Sequence, residues 1–203
     1  MDVLAPLQLA RVKGLLSAET ASSVLGADLH EVARSFENFR AQGWLEATPR
    51  GWRLTPAGRK FTLGLMEEER AALDAGALRG LYQEFCSINL ELKATMVAWQ
   101  VRADGTLNDH ADKVYDGAIV NRLCQVHDRA DPVIRRLEQA VPRLAHYRKR
   151  LSHALDRIRA GEANFVARPI IDSYHTVWFE LHEDLIAVSG LTRAAEAQAG
   201  RAQ

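Results

Sequence analysis

Long apolar runs are missing from this 203-residue chain, and no stretch approaches the roughly 20 residues that a membrane-spanning helix needs. That excludes a helical membrane protein. Cysteine is scarce: Cys86 and Cys124 stand far apart with no CxxC spacing. Neither a zinc site nor a redox pair is expected, and both side chains are assigned to small apolar positions in the interior. A charge surplus is also absent, since 26 Lys+Arg balance 26 Asp+Glu, which weighs against tight binding to nucleic acid through net charge alone. No nucleophile elbow, phosphate loop or dinucleotide fingerprint occurs, and there is no internal repeat or low-complexity tract. The apolar pattern at the start is weak and carries Asp2, Arg11 and Lys13, so no leader is expected and the location is taken as cytoplasmic. What is present is the composition of an ordinary globule, 47% hydrophobic and 26% charged, long enough for one large core or two modest ones.

The first 65 residues lean basic, with eight Lys+Arg against six Asp+Glu. Leu7, Leu9, Ala10, Val12 and Leu15 predict a short helix interrupted by Gly14. Ser17 is an N-cap for a helix over 18–25, in which Ala21 is small enough to let a second helix cross closely. Gly26 ends it. Asp28 and Glu31 have capping-box spacing and open a helix over 29–42, whose apolar face is Leu29, Val32, Phe36 and Phe39. The opposite face carries His30, Glu31, Arg34, Ser35, Glu37, Asn38 and Arg40. Alternation over 44–48, a Pro49-Arg50-Gly51 turn and a return over 52–54 predict a tight hairpin. Thr55-Pro56 then caps the next helix, expected over 55–74, and Gly58 one turn in lets that helix sit close to the hairpin.

Gly43-Trp44-Leu45 after the second of these helices, together with Leu54-Thr55-Pro56-Ala57-Gly58-Arg59 after the hairpin, resembles the winged helix-turn-helix of MarR-type transcriptional regulators. The resemblance covers residues 17–60. It implies a homodimer on double-stranded DNA, with the recognition helix in the major groove and wing arginines on phosphate or in the minor groove. Carried over by position, Arg34, Ser35 and Asn38 would face bases, with His30 on the same surface, and Arg50 and Arg53 would hold the backbone. This chain departs from the pattern in having Glu31 and Glu37 on the exposed face and a clipped wing.

Residues 75–203 show four long helical patterns: about 77–102, 109–129, 131–158 opening on Asp131-Pro132 and kinked at Pro142, and 169–190. An Ala103-Asp104-Gly105 turn separates the first two, and the tail beyond Ala194 is expected to fray. Short connections favour an antiparallel four-helix bundle. The fold expected is therefore mainly α: a winged helix with a small β-hairpin over 1–74, then a helical bundle over 75–203 for effector binding, dimerisation or both.

Polar residues at seam positions of this bundle are the informative misfits. Counting depth from the helix centres puts Arg148 and Asp116 in one layer with His175 and Lys93, and Asn89, Tyr115, Asp112 and Asp172 about a turn away. Two readings stay open. One is a buried Arg148–Asp116 ion pair with His175 nearby, binding nothing; the other is a pocket for a small polar or anionic effector lined by Lys93, Asp116, Arg148, His175, Asn89 and Tyr115. Asp172-x-x-His175 does not complete a diiron pattern, and Glu180, His182 and Glu183 are expected on the outer side of their helix, so no metal and no cofactor is expected. Trp99 and Trp178 are assigned to the core. The function expected is a DNA-binding regulator and not an enzyme. The alternative is an enzyme or ligand-binding protein with its site in the bundle, using the winged helix for protein interaction.

Overall fold

The computed structural model describes residues 2–198. They are mainly helical, with a two-stranded antiparallel hairpin, and no helix among them is long and apolar enough to cross a membrane. The chain divides into two compact units. One comprises Met1–Leu73 with His182–Arg193, the other Asp74–Leu181 with Ala194–Gln203, so far as these are described. The segment 182–193, expected in the C-terminal domain, is thus part of the first unit.

In the first unit, α1 (Leu4–Lys13), α2 (Ala18–Leu25) and α3 (Leu29–Ala41) precede the strands β1 (Leu45–Thr48) and β2 (Gly51–Leu54) and the helix α4 (Pro56–Ala71). The caps follow from local chemistry. Ser17 accepts from the Thr20 amide, and Asp28 accepts from those of His30 and Glu31, which satisfies donors that a helix start leaves unpaired. Leu7, Leu9, Ala21, Val32, Phe36, Leu45 and Leu54 form one buried cluster. Leu29, expected in it, is instead 39% exposed: it is the first residue of α3 and lies ahead of the buried face. The hairpin pairs Leu45 with Leu54 and Glu46 with Arg53. Leu16 joins it through two backbone bonds to Trp52, of 2.9 and 2.8 Å, so the core is closed by three extended segments. Gly58 is required by distance, because a Cβ there would lie 2.0 Å from the Trp44 carbonyl oxygen. Beside it Thr55 caps α4, its hydroxyl accepting from the Gly58 amide at 3.0 Å and donating to Gly43 O at 2.6 Å. Trp44 stacks on Phe61 with centroids 3.8 Å apart.

The second unit is built on α5 (Ala75–Gln100), α6 (Lys113–Ala140), α7 (Ala145–Arg159), the short α8 (Asn164–Ala167), the first half of α9 (Tyr174–Val188) and α10 (Arg193–Gln198). Its core takes Phe85, Leu92, Trp99, Leu123, Val126, Leu137, Leu151, Leu155 and Trp178, all buried. Cys86 is buried and Cys124 half-buried, and they are not joined in a disulfide. Two helix boundaries differ from the expected ones. Asp131-Pro132 opens no helix, because α6 runs through it as one 28-residue helix. The break comes at Pro142, in a 3-10 turn over Pro142–Leu144. Val141, with φ of −133° and ψ of 86°, ends α6, and the turn folds α7 back along it, so that Arg148 meets Asp131 at 2.7 Å. The buried face of α7 is consequently Tyr147, Arg150, Leu151, Ala154, Leu155 and Ile158, and Arg148 moves to its margin.

Farther on, α9 starts at Tyr174 rather than near Pro169, with the Ser173 hydroxyl accepting from the Thr176 amide. It is buried around most of its circumference: Glu180, His182 and Asp184 are covered along with Leu181, Leu185 and Val188. The expectation of an outward Glu180 and a surface His182 fails for that reason, since the polar positions of this helix face protein too. Nor does the tail fray at once. Residues 193–198 form α10, where Glu196, 1% exposed, accepts from the Tyr82 hydroxyl at 2.7 Å. Residues 199–203, also assigned to a frayed tail, lie outside the described residues.

Candidate functional site

The six residues assigned to DNA lie on one unit. On α3, His30, Arg34 and Asn38 are exposed, four residues apart and therefore on one side of the helix. Ser35, half-buried, turns its hydroxyl back to the Glu31 carbonyl at 2.9 Å. Of the two acidic residues on this face, Glu37 is held by Arg40 at 2.8 Å. Arg50 is exposed at the hairpin tip. Arg53 is exposed but engaged, with Nε 2.5 Å from Glu46 Oε1 across the hairpin. The strand register puts these two residues directly opposite each other.

The six residues assigned to a ligand layer are not brought together. Arg148 does not reach Asp116: its Nε lies 2.7 Å from Asp131 Oδ1, and Arg135 holds the other oxygen at 2.8 Å. Burial raises the Asp131 carboxyl, but the two arginines outweigh it and hold the group below the ordinary carboxylate range. Asp116 and Asp131 stand 15 residues apart on the same helix, about 22 Å along its axis. With α6 unbroken, the expected depth of Arg148 cannot hold. His175 is exposed in the first turn of α9. Lys93 is half-buried on α5, one turn beyond Asn89. Asn89 is buried and accepts from the Trp178 indole at 2.9 Å, the partner a buried indole N–H requires. Tyr115 donates to the Ala98 carbonyl at 2.9 Å.

The buried cation that pattern reading misses is Arg150. Its guanidinium holds Asp172 at 2.7 and 2.8 Å and Glu180 at 2.7 Å. Burial works against its charge, and the two carboxylates more than restore it, keeping the group firmly protonated. Nearby, Tyr174 is fully buried and its hydroxyl lies 3.2 Å from His127 Nδ1. Desolvation raises the phenol and lowers the imidazole, so the contact is a hydrogen bond between two neutral groups.

Asp116 belongs to a different group, where the loop after α5 meets the start of α6. Val101 and Leu107 form a β-bridge around the Ala103-Asp104-Gly105 turn. Asn108 donates through Nδ2 to Trp99 O at 3.1 Å and to Asp116 Oδ1 at 2.8 Å. His110 Nδ1 lies 3.1 Å from Asp116 Oδ2. Its ring stands 4.4 Å from that of Trp99, and its backbone is left-handed, with φ of 59°. A left-handed conformation is uncommon for a residue with a side chain and is maintained by its surroundings. A cleft of about 270 Å³ opens here, lined by Trp99, Gln100, His110, Asn164, Arg168 and two alanines. By contrast, the groove beside Arg148, about 360 Å³ and lined also by Arg135, Glu138 and Pro142, contains two arginines already bound to Asp131.

No group of three or more metal-ligating side chains occurs among the described residues. No family model, curated protein or solved structure matches the chain.

Proposed function

We propose that the chain is a DNA-binding transcriptional regulator of the winged helix-turn-helix type, MarR-like in its first unit. It acts as a homodimer, and its second unit, a four-helix bundle formed by α5, α6, α7 and α9, senses a small polar or anionic ligand. The observation that carries this reading is the face of α3. His30, Arg34 and Asn38 project from a helix whose other side is anchored by Val32 and Phe36, both fully buried, and Arg50 extends from the adjacent hairpin tip. Arginine and asparagine on an exposed, rigid helix are the side chains that read guanine and adenine edges, and a hairpin arginine suits phosphate.

Self-association is supported by apolar side chains left in water. Leu90 and Val97 are 57% and 61% exposed, two turns apart on one face of α5. A second copy packed on this face of α5 would remove both side chains from water. A ligand in the helical unit would control DNA only through unequal affinity for two arrangements of the dimer.

The test is a fluorescence-polarisation titration of the purified chain against DNA from upstream of its own gene, at several salt concentrations. Saturable binding that weakens steeply with salt is expected. Absence of binding even at low salt would overturn the reading.

A further inference from the structure

The cleft beside His110 has features that a packing defect lacks. Its polar lining consists of Arg168, His110 and the amides of Gln100 and Asn164, with no carboxylate. Asp116, the acid in contact with His110, is engaged by Asn108 and His110. Arg168 is exposed and forms no ion pair with any described residue, unlike Arg148, Arg150 and Arg157 of the same unit. A guanidinium without an ion pair, lining a cleft with a tryptophan, two amides and an imidazole, suits an oxyanion, since guanidinium matches planar oxyanions in two parallel bonds.

The His110 loop is built to hold that wall in place. Asp112 accepts from the amides of Val114 and Tyr115, and Lys113 Nζ donates to the His110 carbonyl at 2.9 Å. Arg102 lies over the Tyr115 ring at 4.7 Å. These interactions tie the loop to the start of α6 on the C-terminal side of His110. With Nδ1 engaged by Asp116, Nε2 is the remaining polar atom of the ring.

We infer that the cleft between the end of α5, the His110 loop and α8 binds a small oxyanion, a carboxylate or a phosphate. Arg168 is the counter-charge, the side-chain amides of Gln100 and Asn164 are neutral donors, and the rings of Trp99 and of His110, held by Asp116, are the walls. This gives the ligand-sensing part of the proposed function a location and rests on that part alone; it does not depend on DNA binding.

The experiment is accordingly done without DNA. Full-length protein labelled with nitrogen-15 is titrated with sodium acetate and, separately, with potassium phosphate, at ionic strength held constant with sodium chloride. The Trp99 indole N–H and the amides of His110 and Asn164 are followed by NMR. Saturable shifts confined to these signals are expected; acetate alone indicates a carboxylate ligand, and phosphate alone a phosphate ligand. Arg168→Ala, at an exposed position, is expected to weaken binding about tenfold or more. Arg79→Ala, an exposed cation elsewhere on the unit, is expected to leave it unchanged. The inference is overturned if neither anion gives saturable shifts at Trp99, if the shifts spread over the basic surface, or if Arg168→Ala binds as the parent does.

Discussion

Arg150 and Glu180 meet at 2.7 Å with side chains only 9% and 5% exposed, a cation from α7 and an anion from α9 removed from water together. Asp172 closes the group from the turn before α9. One guanidinium nitrogen, Nη1, remains buried with no hydrogen bond, so the group is costly as well as cohesive. Removing only the cation takes from the buried Glu180 the guanidinium 2.7 Å away. Arg150→Met is expected to destabilise the protein by about 3–5 kcal/mol. Adding Glu180→Leu to that variant is expected to restore most of the loss. Urea denaturation followed by circular dichroism measures both, and a double variant no more stable than the single one contradicts this account.

Where the fold is legible in the sequence, the determinant is local. Ser17, Asp28 and Thr55 cap helices at the expected positions, and the hairpin turn falls on the expected residues, because capping and turn chemistry act within three or four positions. Sequence spacing misplaces Arg148 because two prolines look alike. Pro132 is carried inside a helix and Pro142 breaks one, a choice made by tertiary packing and not by the proline. The difference moves the buried cation by two residues, to Arg150, which ends a basic run resembling a solvated face. His110 and Asn108 carry no periodic signal, since their interactions depend on a loop backbone that sequence spacing does not specify. Asp116 is recognisable as a buried acid, but its partner is Asn108 and His110 rather than Arg148.

Gly58 admits no side chain. A Cβ would meet the Trp44 carbonyl oxygen at 2.0 Å, and that oxygen already accepts from the Thr55 amide at 3.0 Å. Backbone cannot yield as a side-chain tip can, so α4 must move away from the hairpin. Gly58→Ala is expected to cost about 1–3 kcal/mol or more, lowering the thermal midpoint. Thr55→Ala, which removes the cap and the hydroxyl's bond to Gly43 O, is expected to cost about 1–2 kcal/mol. A Gly58→Ala chain as stable as the parent would refute the close approach.

Stability is expected to fall below about pH 6.5, the ordinary histidine value, in part through His127. Desolvation lowers the folded-state pKa of this ring, with Arg159 adding to the effect and Asp131 and Asp128 opposing it. Between the folded and unfolded values the unfolded chain binds the extra proton. The contribution is therefore complete above the unfolded pKa and is lost as the pH falls toward the folded one. His127→Gln keeps a hydrogen-bonding side chain for the Tyr174 hydroxyl and removes the titration. Its plot of unfolding free energy against pH is expected to be flatter just below about pH 6.5 than that of the parent; an unchanged slope would show that His127 has no part in it.

The arginines proposed to touch DNA are not equivalent, and the difference is measurable as salt dependence. Arg53 is neutralised in the free protein by Glu46 at 2.5 Å, so a phosphate must compete for it, whereas Arg34 and Arg50 have no ion pair with any described residue. Removing one cation from a DNA phosphate lowers the slope of log affinity against log salt by about 0.9. Arg50→Ala is expected to show that full decrease with little change in sequence preference, since a hairpin arginine binds the DNA backbone. Arg34→Ala is expected to relax discrimination between sequences as well, at about 1–3 kcal/mol for a side chain that reads a base. Arg53→Ala is expected to change the slope less than Arg50→Ala does. Glu46→Gln is expected to release Arg53 and steepen the slope, and Glu31→Gln to raise affinity by removing an exposed negative charge from the α3 face. If the three arginine variants and the parent give one common slope, the face of α3 and the hairpin tip do not touch DNA.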